Sequence, residues 1–287
     1  MTEDQALGSI IGLAVGDALG TTLEFGRNPS PDRTTWHKEV IGGGPFDLPT
    51  GAFTDDTSMA LALMQSYLDA GDFDPELCGQ YFIDWWRDGA FSSSGRCFDI
   101  GMATQNALYR FERRCKGDSP YVGDTDAFTS GNGGIMRLAP SVVANHTDLK
   151  VSVDEARKQS AITHQSPECL LYAELLAKVL WHGDPFIPDV EPYVLPDSTD
   201  WNDLLSGGYV KETFQCAMWC ARNTESFEEC LLHAVNKRYD ADTVGAVAGQ
   251  IAGAMYGYKS IPLRWLERIY WHEDIVVKAK ELVQLKA

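Results

Sequence analysis

The chain has 287 residues, enough for one large domain or two small ones, and 44% of them are hydrophobic, which supports a sizeable core. Its formal net charge is −17, from 24 basic and 41 acidic residues. This balance argues against a nucleic-acid-binding protein, because no basic patch is present to neutralise phosphates. The seven cysteines include no Cys-x-x-Cys pair, which favours a reduced compartment over disulfides or a zinc site. The acidic N-terminus is not a secretion signal, so we expect a cytoplasmic protein.

The first predicted element is a helix in which glycine recurs every four residues, at positions 8, 12, 16 and 20. On a helix this spacing makes a ridge without side chains, where another backbone can approach closely. Glycine costs roughly 1 kcal/mol relative to alanine inside a helix, so the ridge needs a packing reason. Asp17 and Glu24 interrupt the apolar run, and we therefore expect no membrane-spanning role.

Helix signals continue along the chain, and no segment alternates convincingly as a strand. The run after residues 54–57 is apolar almost all round and stops at Gly71, which predicts a central helix. Capping boxes are predicted at Ser152 with Glu155 and at Ser226 with Glu229. No composition shift marks a boundary, so we predict one all-α domain over residues 1–287. The other predicted helices cover residues 75–86, 99–113, 152–164, 167–181, 209–222 and 273–285.

A second glycine ridge lies in the last third of the chain, at positions 245, 249, 253 and 257, within an apolar run that begins after Thr243. Its length and composition predict a buried helix. We infer that both ridged helices are central and tightly packed. Two arrangements remain open: the ridges pack against each other, or each packs on bulky neighbours.

Two predicted helix starts each supply two acids and a hydroxyl: Asp55 and Asp56 with Thr54, and Asp240 and Asp242 with Thr243. An aspartate at a helix start is commonly a cap, and that is the structural alternative for either pair. A helix N-terminus has a single cap position, however. If both pairs met in one cleft, their carboxylates would repel and would need a divalent cation. Ligands that are all oxygen select Mg²⁺, Mn²⁺ or Ca²⁺ over zinc.

These motifs resemble, in order, those of the ADP-ribosylglycohydrolase family. The acidic motifs with a glycine-rich loop between them are specific to it, whereas any one motif alone is weak. The resemblance covers most of the chain. The matching segments are Gly-Asp-Ala-Leu-Gly at 16–20 with Glu24, Gly-Ala-Phe-Thr-Asp-Asp-Thr at 51–57, Gly-Arg-Cys-Phe-Asp-Ile-Gly at 95–101, Ser-Gly-Asn-Gly-Gly-Ile-Met-Arg at 130–137, Thr-His at 163–164, Gly-Gly-Tyr-Val at 207–210 and Asp-Ala-Asp-Thr-Val-Gly-Ala at 240–246.

The resemblance implies a compact all-α fold with two divalent cations at the base of a cleft, Mg²⁺ or alternatively Mn²⁺. The expected reaction is hydrolysis of the glycosidic bond at the anomeric carbon of an ADP-ribosyl group. We therefore expect an ADP-ribosylated protein as substrate, ADP-ribose as product ligand, and a monomeric enzyme. By motif match, the metal ligands would be Thr54, Asp55, Asp56, Asp240, Asp242 and Thr243.

Glu24 is our candidate for proton handling on the leaving group or for gating the metal site, and Asp55 or Asp56 could share the proton role. The alternative for Glu24 is an exposed loop acid just past a helix end. Arg96 and Arg137 are possible phosphate partners, or surface residues. The glycine-rich loop could offer backbone N–H groups to a pyrophosphate. The substrate-binding residues implied by the resemblance are Gly95, Asp99, Ser130, Gly131, Asn132, Gly133, Gly134, Met136, His164 and Tyr209.

Asp99 is the candidate specificity residue. A carboxylate in the substrate loop could hold a guanidinium through two parallel hydrogen bonds, which favours ADP-ribosylarginine over ADP-ribosylserine. The alternative is that Asp99 caps a helix beginning at Ile100.

The sequence thus predicts a metal-dependent hydrolase that reverses mono-ADP-ribosylation on arginine, with a regulatory or anti-toxin role. Other functions stay open at this point: a catalytically silent ADP-ribose-binding or structural member, a hydrolase of another linkage such as serine, or a hydrolase of nucleotide phosphates.

Overall fold

The computed structural model describes residues 1–286, which fold into helices joined by loops and short 3₁₀ turns. Within these residues the only β-type pairings are isolated bridges, such as the one between Gly131 and Tyr209, so the all-α prediction is confirmed. The helices are α1 Glu3–Gly20, α2 Asp55–Ala70, α3 Pro75–Asp88, α4 Met102–Arg113, α5 Ala139–Ala144, α6 Leu149–Ala161, α7 Pro167–His182, α8 Val210–Arg222, α9 Phe227–Val235, α10 Ala241–Tyr256, α11 Leu263–Leu266 and α12 His272–Gln284.

The two glycine ridges pack against each other, along an interface between α1 and α10 that we call the glycine seam. A Cβ added to Gly16 would lie 2.0 Å from the carbonyl oxygen of Gly245, and a Cβ on Gly249 would lie 2.0 Å from that of Gly12. Backbone therefore touches backbone, and any side chain would force the helices apart. The packing of ridge on ridge, one of the two arrangements left open by the sequence, is the one that the fold adopts.

Both seam helices lie in the core. Residues 6–20 of α1 and 241–254 of α10 are buried throughout. The stretch Glu3–Leu23 is long and apolar enough to cross a membrane by length and composition, but 89% of its most apolar window is buried inside the fold. Its apolar surface is therefore already covered by neighbouring helices.

Helix α2 follows its sequence signals closely and ends at Gly71, whose φ of 76° is the left-handed conformation expected of a glycine stop. The capping box predicted at Ser152 is wrong. Helix α6 begins earlier because the carboxylate of Asp148 accepts hydrogen bonds from two N–H groups of its first turn, at 2.9 and 3.1 Å. Ser152 lies inside the helix, where its hydroxyl donates to the carbonyl oxygen of Asn145 at 2.8 Å.

The start of α9 follows its prediction in part. The hydroxyl of Ser226 accepts a hydrogen bond from the N–H of Glu229 at 3.1 Å, as a capping box requires. The Glu229 carboxylate accepts from the N–H of Glu225 at 3.3 Å, one residue before the cap, so the reciprocal half of the box is displaced.

Candidate active site

The start of α2 is capped by a residue from another helix. Asp17, on α1, accepts hydrogen bonds from the backbone N–H groups of Thr54 and Thr57, at 2.9 and 3.0 Å, and from their hydroxyls at 3.0 and 2.6 Å. These are the free donors that every helix start leaves. Because Asp17 satisfies them, Asp55 and Asp56 are not needed as caps, which was the structural alternative for that pair.

The start of α10 is arranged in the same way. Glu24, just after α1, accepts hydrogen bonds from the N–H groups of Ala241 at 2.6 Å and Asp242 at 3.4 Å. Glu24 is 7% exposed, so it is not the exposed loop acid that the sequence left open. The side chain of Asp240 makes no capping bond and instead accepts from the Asn132 amide at 2.8 Å. Both acidic helix starts therefore have their caps supplied from the α1 end of the fold.

The two acidic motifs meet. Glu24, Asp240 and Asp242 each offer a carboxylate oxygen, and these atoms lie within 4.8 Å of one another. The hydroxyls of Thr54 and Thr243 approach the same oxygen of Asp56, at 3.3 and 3.4 Å. We call the acids gathered here the acidic cluster: Glu24, Asp55, Asp56, Asp99, Asp240 and Asp242.

Burial and repulsion from neighbouring acids raise the pKa values of five carboxyl groups here, those of Glu24, Asp55, Asp56, Asp99 and Asp240. Burial, and then the charges of Asp242 and Asp240, raise the pKa of Glu24 to about 12. Burial, and then Asp55 and Asp242, raise the pKa of Asp99 to about 11. The pKa values of Asp55 and Asp56 are likewise raised, by burial first and by Asp242 second. Carboxylates arranged in this way are stabilised in their charged form by a cation.

One atom shows directly that the cluster lacks a partner. Oδ1 of Asp56 is fully buried and has no hydrogen-bond donor within reach. A buried carboxylate oxygen is rarely left unpaired, because its desolvation costs free energy. The donor set around it consists only of carboxylate and hydroxyl oxygens, which hard divalent cations prefer. The residues present therefore fit a divalent cation.

The cluster lies at the base of a cleft of about 570 Å³. The cleft also contains residues that sequence reasoning did not select, among them Phe25, Arg27, Met102 and Tyr239. Arg27 carries the positive charge nearest to this acidic floor among the lining residues of the described chain. Of the residues named from sequence, those that line the cleft are Glu24, Asp55, Asp99, Gly131, Asn132, Gly133, Met136, His164, Asp240, Asp242 and Thr243.

The glycine-rich loop forms one wall of the cleft, but two of its donors are already used. The N–H of Gly131 donates to the carbonyl oxygen of Thr129 at 2.8 Å, and the N–H of Asn132 donates to that of Gly208 at 3.1 Å. Gly134 lies behind the wall, where a Cβ would come within 2.1 Å of the Ser160 hydroxyl oxygen. The loop is thus held in place by backbone hydrogen bonds. At Gly134 close packing leaves no room for a side chain.

His164 packs against this wall and also lines the cleft. A Cβ on Gly133 would lie 2.5 Å from its Cε1 atom, and its Nδ1 is 2.9 Å from the Thr163 hydroxyl. Burial, and then the charge of Arg137, lower the pKa of His164 to about 3, so the ring is neutral at physiological pH.

Other candidate residues lie away from the acidic floor. Ser130 and Tyr209 line an adjoining hollow that shares Gly131 and Gly208 with the cleft, and the Tyr209 hydroxyl donates to Glu168 at 2.7 Å. Gly95 is exposed in its loop and does not line the cleft. Thr54 and Asp56 sit just beneath the floor, 0% exposed.

Arg137 does not reach the cleft. Its side chain is fully buried, and its guanidinium donates to the side-chain and main-chain oxygens of Gln159 and to the Thr163 hydroxyl. The hypothesis that Arg137 contacts phosphate is therefore wrong, because its guanidinium is buried in the core and already donates hydrogen bonds to Gln159 and Thr163.

Asp99 does not cap a helix. Helix α4 begins at Met102, three residues later than Asp99, and Asp99 itself has a left-handed φ of 58°. This backbone conformation is uncommon outside glycine. It leaves the Asp99 carboxylate among the lining residues of the cleft, close enough to Asp242 to form a hydrogen bond with it.

Asp17 is the main residue that sequence reasoning missed. The sequence marks it as an interruption of an apolar run and as part of the family-like segment at 16–20, but assigns it no role, whereas in the fold it accepts hydrogen bonds from the backbone N–H groups of Thr54 and Thr57 at the start of α2. A single buried acid in an otherwise apolar glycine-ridged helix was the available signal, because a buried carboxylate needs donors. Thr213, which accepts from the Asn132 amide at 2.9 Å, had no such signal.

The chain is similar to known proteins over nearly its whole length. The sequence profile described as ADP-ribosylglycohydrolase matches residues 1–287. The ADP-ribosylarginine hydrolase Tri1 of Serratia proteamaculans is 39% identical over 97% of this chain and 79% of its own length. The ADP-ribosyl-[dinitrogen reductase] glycohydrolase of Rhodospirillum rubrum is 32% identical over 93% of this chain and 90% of its own length.

A solved structure titled "ADP-ribosylglycohydrolase-related protein complex" superposes with a TM-score of 0.82 at 36% sequence identity, covering 99% of both chains. The profile, the relatives and the fold thus agree over nearly the whole length, and the chain belongs to the ADP-ribosylglycohydrolase family.

Proposed function

We propose that this chain hydrolyses the N-glycosidic bond between ADP-ribose and an arginine side chain of a protein, releasing ADP-ribose and reversing the modification. The observation that carries this proposal is the convergence of two acidic helix starts on the floor of one cleft, with a glycine-rich loop as its wall. The relatives named ADP-ribosylarginine hydrolase, at 39% identity, support arginine as the linked residue. A regulatory or anti-toxin role follows from such a reaction.

The proposed cofactor is a pair of divalent cations, Mg²⁺ or alternatively Mn²⁺. The unpaired Oδ1 of Asp56 and the raised pKa values of Asp55 and Asp56 support this assignment. Bound cations would offset the cluster's negative charge and supply a water of lowered pKa. The proposed ligands are Thr54, Asp55, Asp56, Asp240, Asp242 and Thr243.

The chain's own residues then orient and bind the substrate. Asn132 fixes the Asp240 carboxylate through its 2.8 Å hydrogen bond, so that the floor keeps its geometry when substrate enters. Gly131 and Gly133 present a wall without side chains, on which a pyrophosphate could lie close to the backbone. The His164 ring packs against Gly133 and so keeps this wall rigid, and it adds no charge to the wall because it is neutral.

Asp99 and Glu24 flank the place where the leaving group departs. We propose that the Asp99 carboxylate accepts hydrogen bonds from the guanidinium of the modified arginine. Glu24 is fixed by the N–H groups at the start of α10 and would hold a proton for the departing guanidine. Asp55, on the cleft floor, could share this proton role.

The adjoining hollow with Ser130 and Tyr209 is the proposed site for the distal, adenosine part of the substrate. It continues the cleft past Gly131 and Gly208, beyond the glycine-rich wall. The half-buried ring of Tyr209 lines this hollow and offers a stacking surface there. Gly95 and Gly134 would contribute through the shape of their loops, since neither lines the cleft.

The test is release of free ADP-ribose from arginine-linked and serine-linked ADP-ribosyl peptides, each with Mg²⁺ and with EDTA. We expect Mg²⁺-dependent release from the arginine-linked peptide. Release only from the serine-linked peptide would move the proposal to that linkage. Full activity after exhaustive dialysis against EDTA would refute the cation assignment. Binding of ADP-ribose without turnover of either peptide would make the chain a silent ADP-ribose-binding protein.

We also propose a cytoplasmic monomer that acts without nucleic acid or membrane. The seven cysteines are free thiols, five of them buried, which suits a reducing compartment. The net charge of −17 disfavours contact with phosphate backbones.

A further inference from the structure

Three phenylalanine rings stand in a row that begins at the cleft with Phe25, and we call Phe25, Phe46 and Phe98 the aromatic row. The ring centroids of Phe25 and Phe46 are 5.9 Å apart, and those of Phe46 and Phe98 are 5.4 Å apart. These spacings are typical of favourable aromatic contacts. The rings come from three separate loops, so the row exists only in the folded chain.

Both ends of the row are joined to acids of the cluster. Phe25 directly follows Glu24, and Phe98 directly precedes Asp99. Phe25 also lines the cleft. The row therefore lies along the side where we place the leaving arginine. The glycine-rich wall and the hollow with Tyr209 lie elsewhere, since none of the three rings lines that hollow.

The backbone beside the row is held in an unusual conformation. Among residues 1–286, seven residues other than glycine have positive φ, and five of these lie in the row, beside it or beside the neighbouring acids. Such conformations are strained and persist where the surrounding structure enforces them, often at binding sites. The five residues are Phe25, Asp47, Asp99, Arg238 and Tyr239.

Backbone hydrogen bonds lock two of these residues together. The N–H of Phe25 donates to the carbonyl oxygen of Tyr239 at 2.7 Å, and the N–H of Tyr239 donates to that of Gly26 at 2.8 Å. As a result Phe25 is held 61% exposed and Tyr239 44% exposed. Burying a phenylalanine side chain is favourable, so the fold leaves in water an apolar surface that a partner could cover.

We propose that the aromatic row is the docking edge for the protein segment on either side of the ADP-ribosylated arginine. This inference rests on the proposed function, because it takes the leaving group to be a protein arginine. Charge complementarity decides the occupant. The two end rings of the row are next in sequence to carboxylates of the cluster. This arrangement suits a peptide whose cationic guanidinium contacts the acids while its neighbouring residues cover the rings.

Aromatic anchors of this kind commonly carry much of the binding energy of a protein contact. The ADP-ribosyl group ends at its bond to the arginine, so no part of it would contact an apolar surface on the far side of the arginine. The row therefore distinguishes a modified protein from the same ADP-ribosyl group on a free amino acid.

The test compares two arginine-linked substrates, an ADP-ribosylated protein and ADP-ribosyl-L-arginine, in kcat and KM. The variants are Phe25→Ala, Phe25→Leu, which keeps apolar bulk but loses the ring, and the matched control Leu263→Ala. Leu263 is 67% exposed and lies in α11, outside the cleft. Melting temperatures of all variants check that the fold is intact.

For Phe25→Ala we expect KM for the protein substrate to rise roughly tenfold more than KM for ADP-ribosyl-L-arginine. Phe25→Leu should recover part of the loss, and Leu263→Ala should match the wild type on both substrates. An equal rise on both substrates would show that Phe25 contacts the ADP-ribosyl group and would overturn the proposal, as would no change on either. Failure of the wild-type protein on both substrates would instead refute the proposed function itself.

Discussion

The glycine seam and the acidic cluster share helix α10 and bring groups together for opposite reasons. In the seam, backbone meets backbone with no room for a methyl group, as the 2.0 Å approach at Gly249 shows. In the cluster, carboxylates are crowded until their pKa values rise. The seam is filled by its own backbone atoms and needs no further group, whereas the cluster has an unpaired buried oxygen on Asp56. The comparison shows that the rigid packing of the seam can hold together a group of carboxylates elsewhere in the fold that would otherwise need a ligand to stay close.

The connection runs through α1. Its glycines fix the position of α10, while Asp17 near its end caps α2 and Glu24 just beyond it caps α10. Both acidic helix starts are thus held by acids in or just after the same helix. Repulsion between them cannot easily push them apart, because separating α1 from α10 would open the core.

The largest effect should come from breaking the seam. Gly249→Val would place side-chain atoms where the carbonyl oxygen of Gly12 now lies, 2.0 Å from an added Cβ. Since both groups belong to helix backbones, neither can rotate away. We expect a loss of about 3 kcal/mol or more in the free energy of unfolding, measured by urea denaturation, or a protein that does not fold.

The matched control is Gly101→Ala, at a glycine with no atom within 4 Å of an added Cβ and an ordinary negative φ. Its stability should stay within about 0.5 kcal/mol of the wild type. If Gly249→Val were equally mild, the seam would not be the rigid element of the fold.

The next effect separates stability from activity. Asp242→Asn removes one charge from the cluster, and the charge of Asp242 raises the pKa of several of its neighbours. Hydrolysis should fall by roughly 100-fold or more, because a cation ligand is lost. In EDTA the melting temperature should rise, since repulsion is relieved. The control is Asp274→Asn, an exposed aspartate at the start of α12, which should change neither quantity.

Asp99 tests the specificity proposal. Asp99→Ala should reduce turnover of the arginine-linked peptide roughly tenfold or more, because a charge-assisted hydrogen bond to the guanidinium is lost. Asp99→Glu keeps the charge and should retain part of the activity. The melting temperature must stay close to that of the wild type for this comparison. Unchanged arginine-linked turnover in Asp99→Ala would end the specificity argument.

The stability of the fold should also depend on pH. The folded-state pKa values of Glu24 and Asp99, about 12 and about 11, lie far above the ordinary values of 4.5 and 3.8. At pH values between the ordinary and the raised pKa of these two groups, the folded protein binds more protons than the unfolded one. Stability therefore falls as pH rises. The window from pH 6.5 to 9 avoids the buried His164, which acts in the opposite sense below its ordinary pKa of 6.5.

We therefore expect the melting temperature in EDTA to fall from pH 6.5 to pH 9, by differential scanning fluorimetry. Saturating Mg²⁺ should raise the melting temperature, most strongly at pH 9, because a cation favours the ionised carboxylates. A melting temperature that rises over this range in EDTA would contradict the picture of a repulsive, cation-requiring cluster.

Much of the fold could be predicted from the sequence, because helix signals are local. The stop of α2 at Gly71 and the cap of α7 at Ser166 depend on neighbouring residues alone. The error at Ser152 is also instructive. Two polar patterns competed for one helix start, and the aspartate four residues earlier supplied the better acceptor.

The acidic motifs were visible in the sequence, but their purpose was not. An aspartate at a helix start looks the same whether it caps the helix or faces a cleft. The choice was made by Asp17 and Glu24, whose capping bonds span 37 and 217 positions of sequence. No local pattern can reveal bonds of that length.

By itself the sequence determined the helical class, the two glycine ridges and the residue types of a hard-cation site, since each depends on short-range spacing or side-chain chemistry. Only the tertiary structure decided that the ridges face each other, that Arg137 is buried, and that the acids share one floor beside the aromatic row. Those outcomes depend on which distant segments pack together, and packing free energy belongs to the whole fold.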